Sequence, residues 1–521
     1  MCESPARMDQ LNPVSLDWAL THILRYGDTD IFPVPFEFAA ISHSWLSIKP
    51  ALEQLDLARY MPSGGQRMLV PKPGGGFRVA VQLDPIDSIL YVALAYEAAE
   101  PIEQSRVDPS QRVACSYRVN LDAKGSFFPA ESGWKDFHQR SGELAGEGFR
   151  HVLLADISDF YNQVSLHRVE SALHTAALLP ARVNNIHEFL LALNLKQSRG
   201  LPVGPVPSIL FAEALLTDVD NFLLRKGATH VRYVDDFRIF CASRAEAIAI
   251  QHDLTEYLYT SHRLSLEASK TRIMHVSRFV SEELRDPEEE EREAKANKLN
   301  DLIEQLKDAT GYDVSADELP EDEQSAAVRE SLADLFESCV ATRPLHLGLA
   351  RHLLRRGTQM KTAVIAEQVF EHLEVLAPVF RDVSRYITRC LPKKSARSRG
   401  EQLLNFLQKS DMGPLPFIRM WGLKILRLRP ELASTAKIWE LAEDSAANLG
   451  RRYLALVARS AGKIDWIRGQ KENWRNHGSW DRRAIIWSSC TLPQSERKPW
   501  MDIVAACGDH CDAAVARFAL L

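Results

Sequence analysis

Residues 230–241 read His230-Val231-Arg232-Tyr233-Val234-Asp235-Asp236-Phe237-Arg238-Ile239-Phe240-Cys241, two β-prone runs joined by a pair of acids. Runs of β-branched and aromatic residues on either side of a polar pair predict a tight hairpin with Asp235 and Asp236 at its tip. By composition, a Tyr-x-Asp-Asp sequence arises by chance only about 0.05 times in a chain of this length, so it invites a search for a partner. That partner stands 79 residues upstream, where the apolar run 151–155 ends in Asp156. Strand-end carboxylates on neighbouring strands can hold two Mg²⁺ ions about 4 Å apart. Mg²⁺ favours hard oxygen ligands, completed by substrate phosphates and water. Acids packed this closely without a metal would repel each other and raise each other's pKa.

Other elements group around this hairpin. Glycine- and proline-rich clusters at 62–65 and 71–76 flank the β-prone run 67–70, and a second run covers 77–83, which predicts a hairpin with a glycine tip. A helix is expected near 165–179, and helix and strand signals recur over 245–273. The order strand, helix, helix, hairpin, helix, strand fits a split βαβ palm on one sheet. From 281 to 293 a dense acidic run interrupts the pattern, and strand signals vanish after it. Apolar-periodic segments punctuated by Gly348, Pro378, Pro392, Pro430, Gly450, Gly462 and Pro493 then predict antiparallel helical hairpins in a HEAT-like array. The expected class is α+β, and the expected division is a helical segment 1–59, a core domain 60–280, an acidic connector 281–340 and an all-α domain 341–521. Seven of the ten tryptophans fall in the last part and are expected between helix layers.

The chain has 521 residues, with 63 Lys+Arg against 69 Asp+Glu and 45% hydrophobic residues. That is ordinary globular composition, long enough for several domains. The net charge of −6 hides −5 over 1–280, −14 over 281–340 and +13 over 341–521. A basic block of that size suits a polyanionic partner. Residues 1–10 show no basic-then-apolar leader, and the longest apolar stretch, 201–216, contains three prolines, a glycine and Glu213. Eight cysteines without a Cys-x-x-Cys pair suit free thiols, so a cytoplasmic protein with no membrane partner is expected. Cys507, His510 and Cys511 lack a fourth ligand and read as a helix face. Lys393, Lys394, Arg397 and Arg399 form a basic loop able to touch phosphates.

Taken together, the boxes resemble a reverse transcriptase over roughly residues 60–280. Asp156 matches that family's first catalytic aspartate, and Asp235 and Asp236 match its YxDD box. The resemblance implies a metal site at Asp156, Ile157, Asp235 and Asp236 holding two Mg²⁺ ions, for which Mn²⁺ can substitute. It implies a sugar-discriminating wall at Tyr161, with the amides near Asp159 and Phe160 facing the triphosphate. Residues 70–78 (Val-Pro-Lys-Pro-Gly-Gly-Gly-Phe-Arg) resemble the fingers hairpin, where Lys72 and Arg78 would clamp phosphates. Residues 199–208 (Arg-Gly-Leu-Pro-Val-Gly-Pro-Val-Pro-Ser) resemble the motif B turn, which puts Pro202, Val203 and Gly204 beside the nucleotide. Val203 stands where most members carry glutamine, which removes a polar contact with nucleotide and template. Residues 264–271 resemble motif D, whose lysine, here Lys270, is a candidate general acid for the leaving pyrophosphate.

The variant motif B, with residues 27–33 and the helical C-terminal half, resembles bacterial defence-associated, abortive-infection reverse transcriptases. That resemblance implies dNTP polymerisation without a template, primed from a protein tyrosine, in a homo-oligomer (trimer or hexamer) acting against phage. Tyr26 and Tyr60 are the candidate priming hydroxyls. Two alternatives stand beside it. One is RNA-templated copying of a partner noncoding RNA. The other is an effector or binding protein whose toxicity lies in the helical half, with the palm as sensor.

Overall fold

The computed structural model describes residues 10–129, 133–284 and 326–521. Most of the expected acidic connector, including the run from Asp286 to Glu293, lies outside the described residues. The chain divides into two compact units: Met1–Asp30, Val34–Gln66 and Val81–Asp286 form the first, and Ile31–Pro33, Arg67–Ala80 and Pro287–Leu521 the second.

The hairpin strands β1 (Gln66–Pro71) and β2 (Phe77–Gln82), which over residues 67–80 belong to the second unit, come in the chain after α1 (Pro13–Tyr26), α2 (Glu37–His43) and α3 (Trp45–Glu53) of the first unit. There follow α4 (Pro85–Ser105), α5 (Gly133–Gly146), β3 (His151–Asp156), α6 (Phe160–Gln163), α7 (Leu166–Thr175), α8 (Pro180–Leu193) and α9 (Val206–Arg225). β4 (Thr229–Tyr233), β5 (Asp236–Cys241), α10 (Arg244–Tyr257), β6 (Arg272–His275) and α11 (Val276–Phe279) complete it. Helix starts follow local chemistry. Pro13 follows Asn12, whose side chain accepts from the Val14 amide, and Ser243 likewise caps α10 through the Glu246 amide. The helix expected near 165–179 ends at Thr175, because the turn Ala176–Leu179 leads into Pro180, which starts α8.

Strands β4, β5, β3 and β6 form one antiparallel sheet in that order. Val152 and Leu154 of β3 share a face with Val231 and Phe240, against Phe137 and Leu144 of α5. Because strand side chains alternate with period two, Asp156 and its cross-strand partner Asp236 continue that face to the strand end. The core of the sheet therefore delivers two acids to one edge.

The second unit is helical, with its core continuous with residues of the β1–β2 hairpin. Its helices are α12 (Ala326–Ala341), α13 (Leu347–Gln359), α14 (Ala366–Glu371), α15 (Phe380–Cys390), α16 (Ala396–Lys409) and α17 (Pro416–Leu428). They continue as α18 (Thr435–Leu449), α19 (Arg452–Ser460), α20 (Ile464–Glu472), α21 (Ser479–Ser488), α22 (Gln494–Cys507) and α23 (His510–Phe518). Helices α13, α15, α17, α19, α21 and α23 each pack on the next of that series. Trp421, Trp474, Trp480 and Trp500 are buried among them, as the tryptophan pattern predicts. Met68, Val70, Ala80 and Phe32 join the same core. Among the described residues no helix is long and apolar enough to cross a membrane.

Candidate active site

The β4–β5 connection is a two-residue hairpin, Tyr233 facing Asp236 with Val234 and Asp235 between them. Val234 takes a positive φ of 53°, an unusual state for a β-branched residue and a cost of about 1–3 kcal/mol. Two bonds hold it there. Its amide donates to Ser116 Oγ at 2.9 Å, and its carbonyl accepts from the Arg232 guanidinium at 2.9 Å.

Beneath the turn lies a buried charge network. Arg232 reaches Asp220 at 2.6 and 2.8 Å and Glu213 at 3.1 and 3.2 Å. Glu213 in turn accepts from Arg106 at 2.7 Å and from Ser116 Oγ at 2.6 Å. The side chains of Arg232 and Glu213 are wholly buried. Burial pushes the Asp220 carboxyl up, but the charge and hydrogen bonds of Arg232, with those of His230, together outweigh it and hold the carboxyl well below the usual carboxylate range. The sequence alone did not link these residues to one another. The available signal was Glu213 and Asp220, seven residues apart on one apolar helix, facing a charge inside an apolar strand.

The expected catalytic residues converge. Asp156 and Asp236 are cross-strand partners, and the Ile157 amide donates to the Asp235 carbonyl at 3.2 Å. The segment carrying Lys270 is stitched to the end of β3. Ser158 donates to Ser265 at 2.9 Å, and Glu267 donates to the Asp156 carbonyl at 2.8 Å. Lys270 Nζ then sits 3.0 Å from both oxygens of Asp156. Burial works against the ammonium, but Asp156, Asp235 and Asp236 together raise its pKa.

Burial, with the charges of Asp156 and Asp235 added, pushes Asp236 up to about 6, against the opposing pull of Arg238 and Lys270. The folded pKa thus lies above that of an unfolded aspartate, about 3.9. Its contribution to stability is present in full below about pH 4 and is lost as pH rises through about 6, amounting to about 2–3 kcal/mol by neutrality. Asp236→Asn is therefore expected to melt at a higher temperature than the wild type in chelator at pH 7.5, with the gap closing towards pH 4. Identical melting curves at pH 7.5 would contradict this electrostatic picture.

The remaining expected residues distribute as follows. Asp159 adopts a positive φ of 47° at the N-terminal boundary of α6, and its carboxylate accepts from the Asn162 side-chain amide at 2.7 Å. Phe160 is buried against the half-buried Tyr161, with ring centroids 5.5 Å apart. The Tyr161 carbonyl accepts from Leu201 at 2.8 Å, which joins the end of the first acid's loop to the turn containing Pro202, Val203 and Gly204. The Val203 carbonyl accepts from Val81 at 2.9 Å. Gly204 has φ 127°, and a Cβ there would lie 2.8 Å from Thr29 Oγ1, so only glycine fits the approach. Lys72 and Arg78 are exposed on the hairpin, within the second unit. Tyr26 is 43% exposed at the end of α1, whereas the Tyr60 hydroxyl donates to Asp87 at 2.6 Å.

Comparison with known proteins agrees with these motifs. Residues 70–307 match the family model for reverse transcriptase (RNA-dependent DNA polymerase). No curated protein matches the chain. Solved structures similar to it include telomerase from Candida albicans with a TWJ fragment of telomeric RNA, at 12% identity and a TM-score of 0.31, covering 90% of this chain and 70% of that one. Apo telomerase from Candida tropicalis is similar at 10% identity and a TM-score of 0.33, covering 80% of this chain and 68% of that one. Residues 70–307 thus carry a reverse transcriptase domain, the domain of an RNA-directed DNA polymerase.

Proposed function

We propose that the chain is a Mg²⁺-dependent polymerase of dNTPs that acts in antiphage defence, extending DNA from a protein tyrosine without a template. The observation that carries the catalytic part is the pairing of Asp156 with Asp236 across the sheet, with Asp235 beside them and Lys270 on Asp156. The donor set fits a divalent cation. It is made of hard carboxylate oxygens, and the partly buried Asp236 is held near a pKa of 6 by burial and by its acidic neighbours. Asp156, Asp235 and Asp236, with the Ile157 backbone, would hold two such ions, which supply Lewis-acid stabilisation of the transferring phosphoryl group.

The protein's own groups do the rest. A 3′-hydroxyl, or at initiation a tyrosine hydroxyl, attacks the α-phosphorus of a dNTP, and the bond to pyrophosphate breaks. Lys270, kept protonated by three carboxylates, donates a proton to the leaving pyrophosphate. Tyr161 walls the sugar, and residues 202–204 line the nucleotide. For priming, Tyr26 has the exposed ring, while Tyr60 spends its hydroxyl on Asp87.

A nucleic-acid product finds support in the second unit. Arg381 and Arg385 of α15 and Arg427 of α17 surround Lys424, and burial together with those cations pushes its pKa down to about 8. Cations gathered around a partly buried lysine suit a phosphate backbone. The packing of α13, α15, α17, α19, α21 and α23 in series supports a HEAT-like array. The defence setting, the homo-oligomer and the cytoplasmic location rest on the sequence resemblance.

The test is to incubate the purified full chain with labelled dNTPs and Mg²⁺, with no primer or template added, before and after ribonuclease treatment. We expect label that stays on the protein through denaturing electrophoresis, is insensitive to ribonuclease and is lost in Tyr26→Phe. Label that vanishes with ribonuclease would instead support copying of a bound RNA.

A further inference from the structure

We propose that the α7–α8 hairpin carries a site for a borderline transition-metal cation, Zn²⁺ by preference, formed by His167, Glu170 and His187. His167 and Glu170 stand three residues apart on one face of α7, and His187 comes from the facing α8. The Nδ1 atoms of both imidazoles lie 3.4 Å from the same oxygen, Glu170 Oε2. Two nitrogen or oxygen ligands bound tetrahedrally to zinc at about 2.0–2.2 Å are separated by about 3.4 Å, the same spacing.

A second observation points into the same place. His187 is 9% exposed, and its buried Nδ1 makes no hydrogen bond although it lies 3.4 Å from Glu170 Oε2, whereas His167 Nδ1 at the same distance does. The two rings stack with centroids 5.0 Å apart, so neither can turn away without losing the other. A buried ring nitrogen beside a carboxylate without a hydrogen bond is a cost that coordination would recover. Two imidazoles and one carboxylate, with a fourth position open beside the exposed His167, form the ligand set of a three-residue zinc site. Imidazole nitrogen also discriminates against Mg²⁺, which prefers oxygen donors. The other such cluster among the described residues, His252, Asp253 and Glu256, differs in that Asp253 is already paired with Lys226 at 2.7 Å.

Position gives the site its consequence. Helix α7 begins directly after Ser165, which bridges to Arg199 at the start of the motif B turn. A metal joining α7 to α8 would fix the two helices that lie in the chain between the segment carrying Tyr161 and the motif B turn.

The test uses the full chain, stripped with chelator and then dialysed against Zn²⁺ in excess Mg²⁺, with bound zinc measured by atomic absorption. One equivalent is expected on the wild type and on Asp235→Asn/Asp236→Asn, and loss of that equivalent on His167→Asn, Glu170→Gln and His187→Asn. His167 is exposed, so its variant separates a lost ligand from a lost fold, and circular dichroism of each stripped protein checks the latter. Cobalt substitution adds a second reading, a visible band of four-coordinate Co²⁺ that disappears in His167→Asn. Zinc retained by His167→Asn and Glu170→Gln, zinc lost only with the aspartates, or no zinc bound by the wild type would each overturn the proposal.

Discussion

Asp235→Asn/Asp236→Asn is expected to lower dNTP incorporation by at least about a thousandfold while leaving the protein folded. Metal-ion stabilisation of developing charge is worth several kcal/mol, and each 1.4 kcal/mol is tenfold in rate. Removing two of the three carboxylates takes away most of the negative charge that would hold the ions. The usual objection to such a variant is that it simply unfolds. Here the electrostatics predict the reverse, because burial and its neighbours already hold Asp236 near a pKa of 6. Replacing its charge by an amide removes a penalty from the metal-free fold. The informative result is therefore a pair of measurements: incorporation lost, and thermal midpoint in chelator equal to or above that of the wild type. Incorporation within tenfold of the wild type would remove the aspartates from the chemistry.

The parts of the site that sequence disclosed are those whose chemistry is local. Tyr233 to Asp236 announces a turn because acids interrupt two β-prone runs, and Asp156 stands out because a charge ends an apolar one. Lys270 was legible through its distance from the hairpin, and the fold sets its ammonium 3.0 Å from Asp156. The glycines at 200 and 204 flagged a turn needing backbone freedom, and both have positive φ. What sequence left hidden depends on pairings across long separations. Arg106, Ser116, Glu213, Asp220 and Arg232 look like unrelated polar residues until the fold brings them together. Likewise Met68 and Val70 reveal a strand, and nothing in their spacing says that they join a helical core. The His167–Glu170 pair is visible at helical spacing, but its third member needs the α7–α8 packing.

Arg232→Met is expected to destabilise the protein by about 3–5 kcal/mol, a large share of the roughly 5–15 kcal/mol that holds an ordinary domain together. The side chain is wholly buried and serves Asp220, Glu213 and the Val234 carbonyl at once. Methionine fills much of the volume but leaves two buried carboxylates with only Arg106, Ser116 and His230 beside them among the partners described. The cost should come from those stranded charges more than from lost packing, and pH separates the two. Asp220 is held below its ordinary pKa by Arg232, so its contribution to wild-type stability is present above the unfolded value, about 3.9, and is lost as pH falls through the folded value. The part of the deficit that comes from Asp220 should thus be full from pH 7 down to about pH 4 and shrink only below it, whereas a packing defect would not change. A double-mutant cycle sharpens this. Adding Asp220→Asn to Arg232→Met should cost much less than Asp220→Asn alone, because the second change neutralises a charge the first had stranded. Denaturant unfolding with an unchanged slope gives the energies. If Arg232→Met cost under about 1 kcal/mol at pH 7, the buried network would not be what secures the left-handed Val234 and the two acids that follow it.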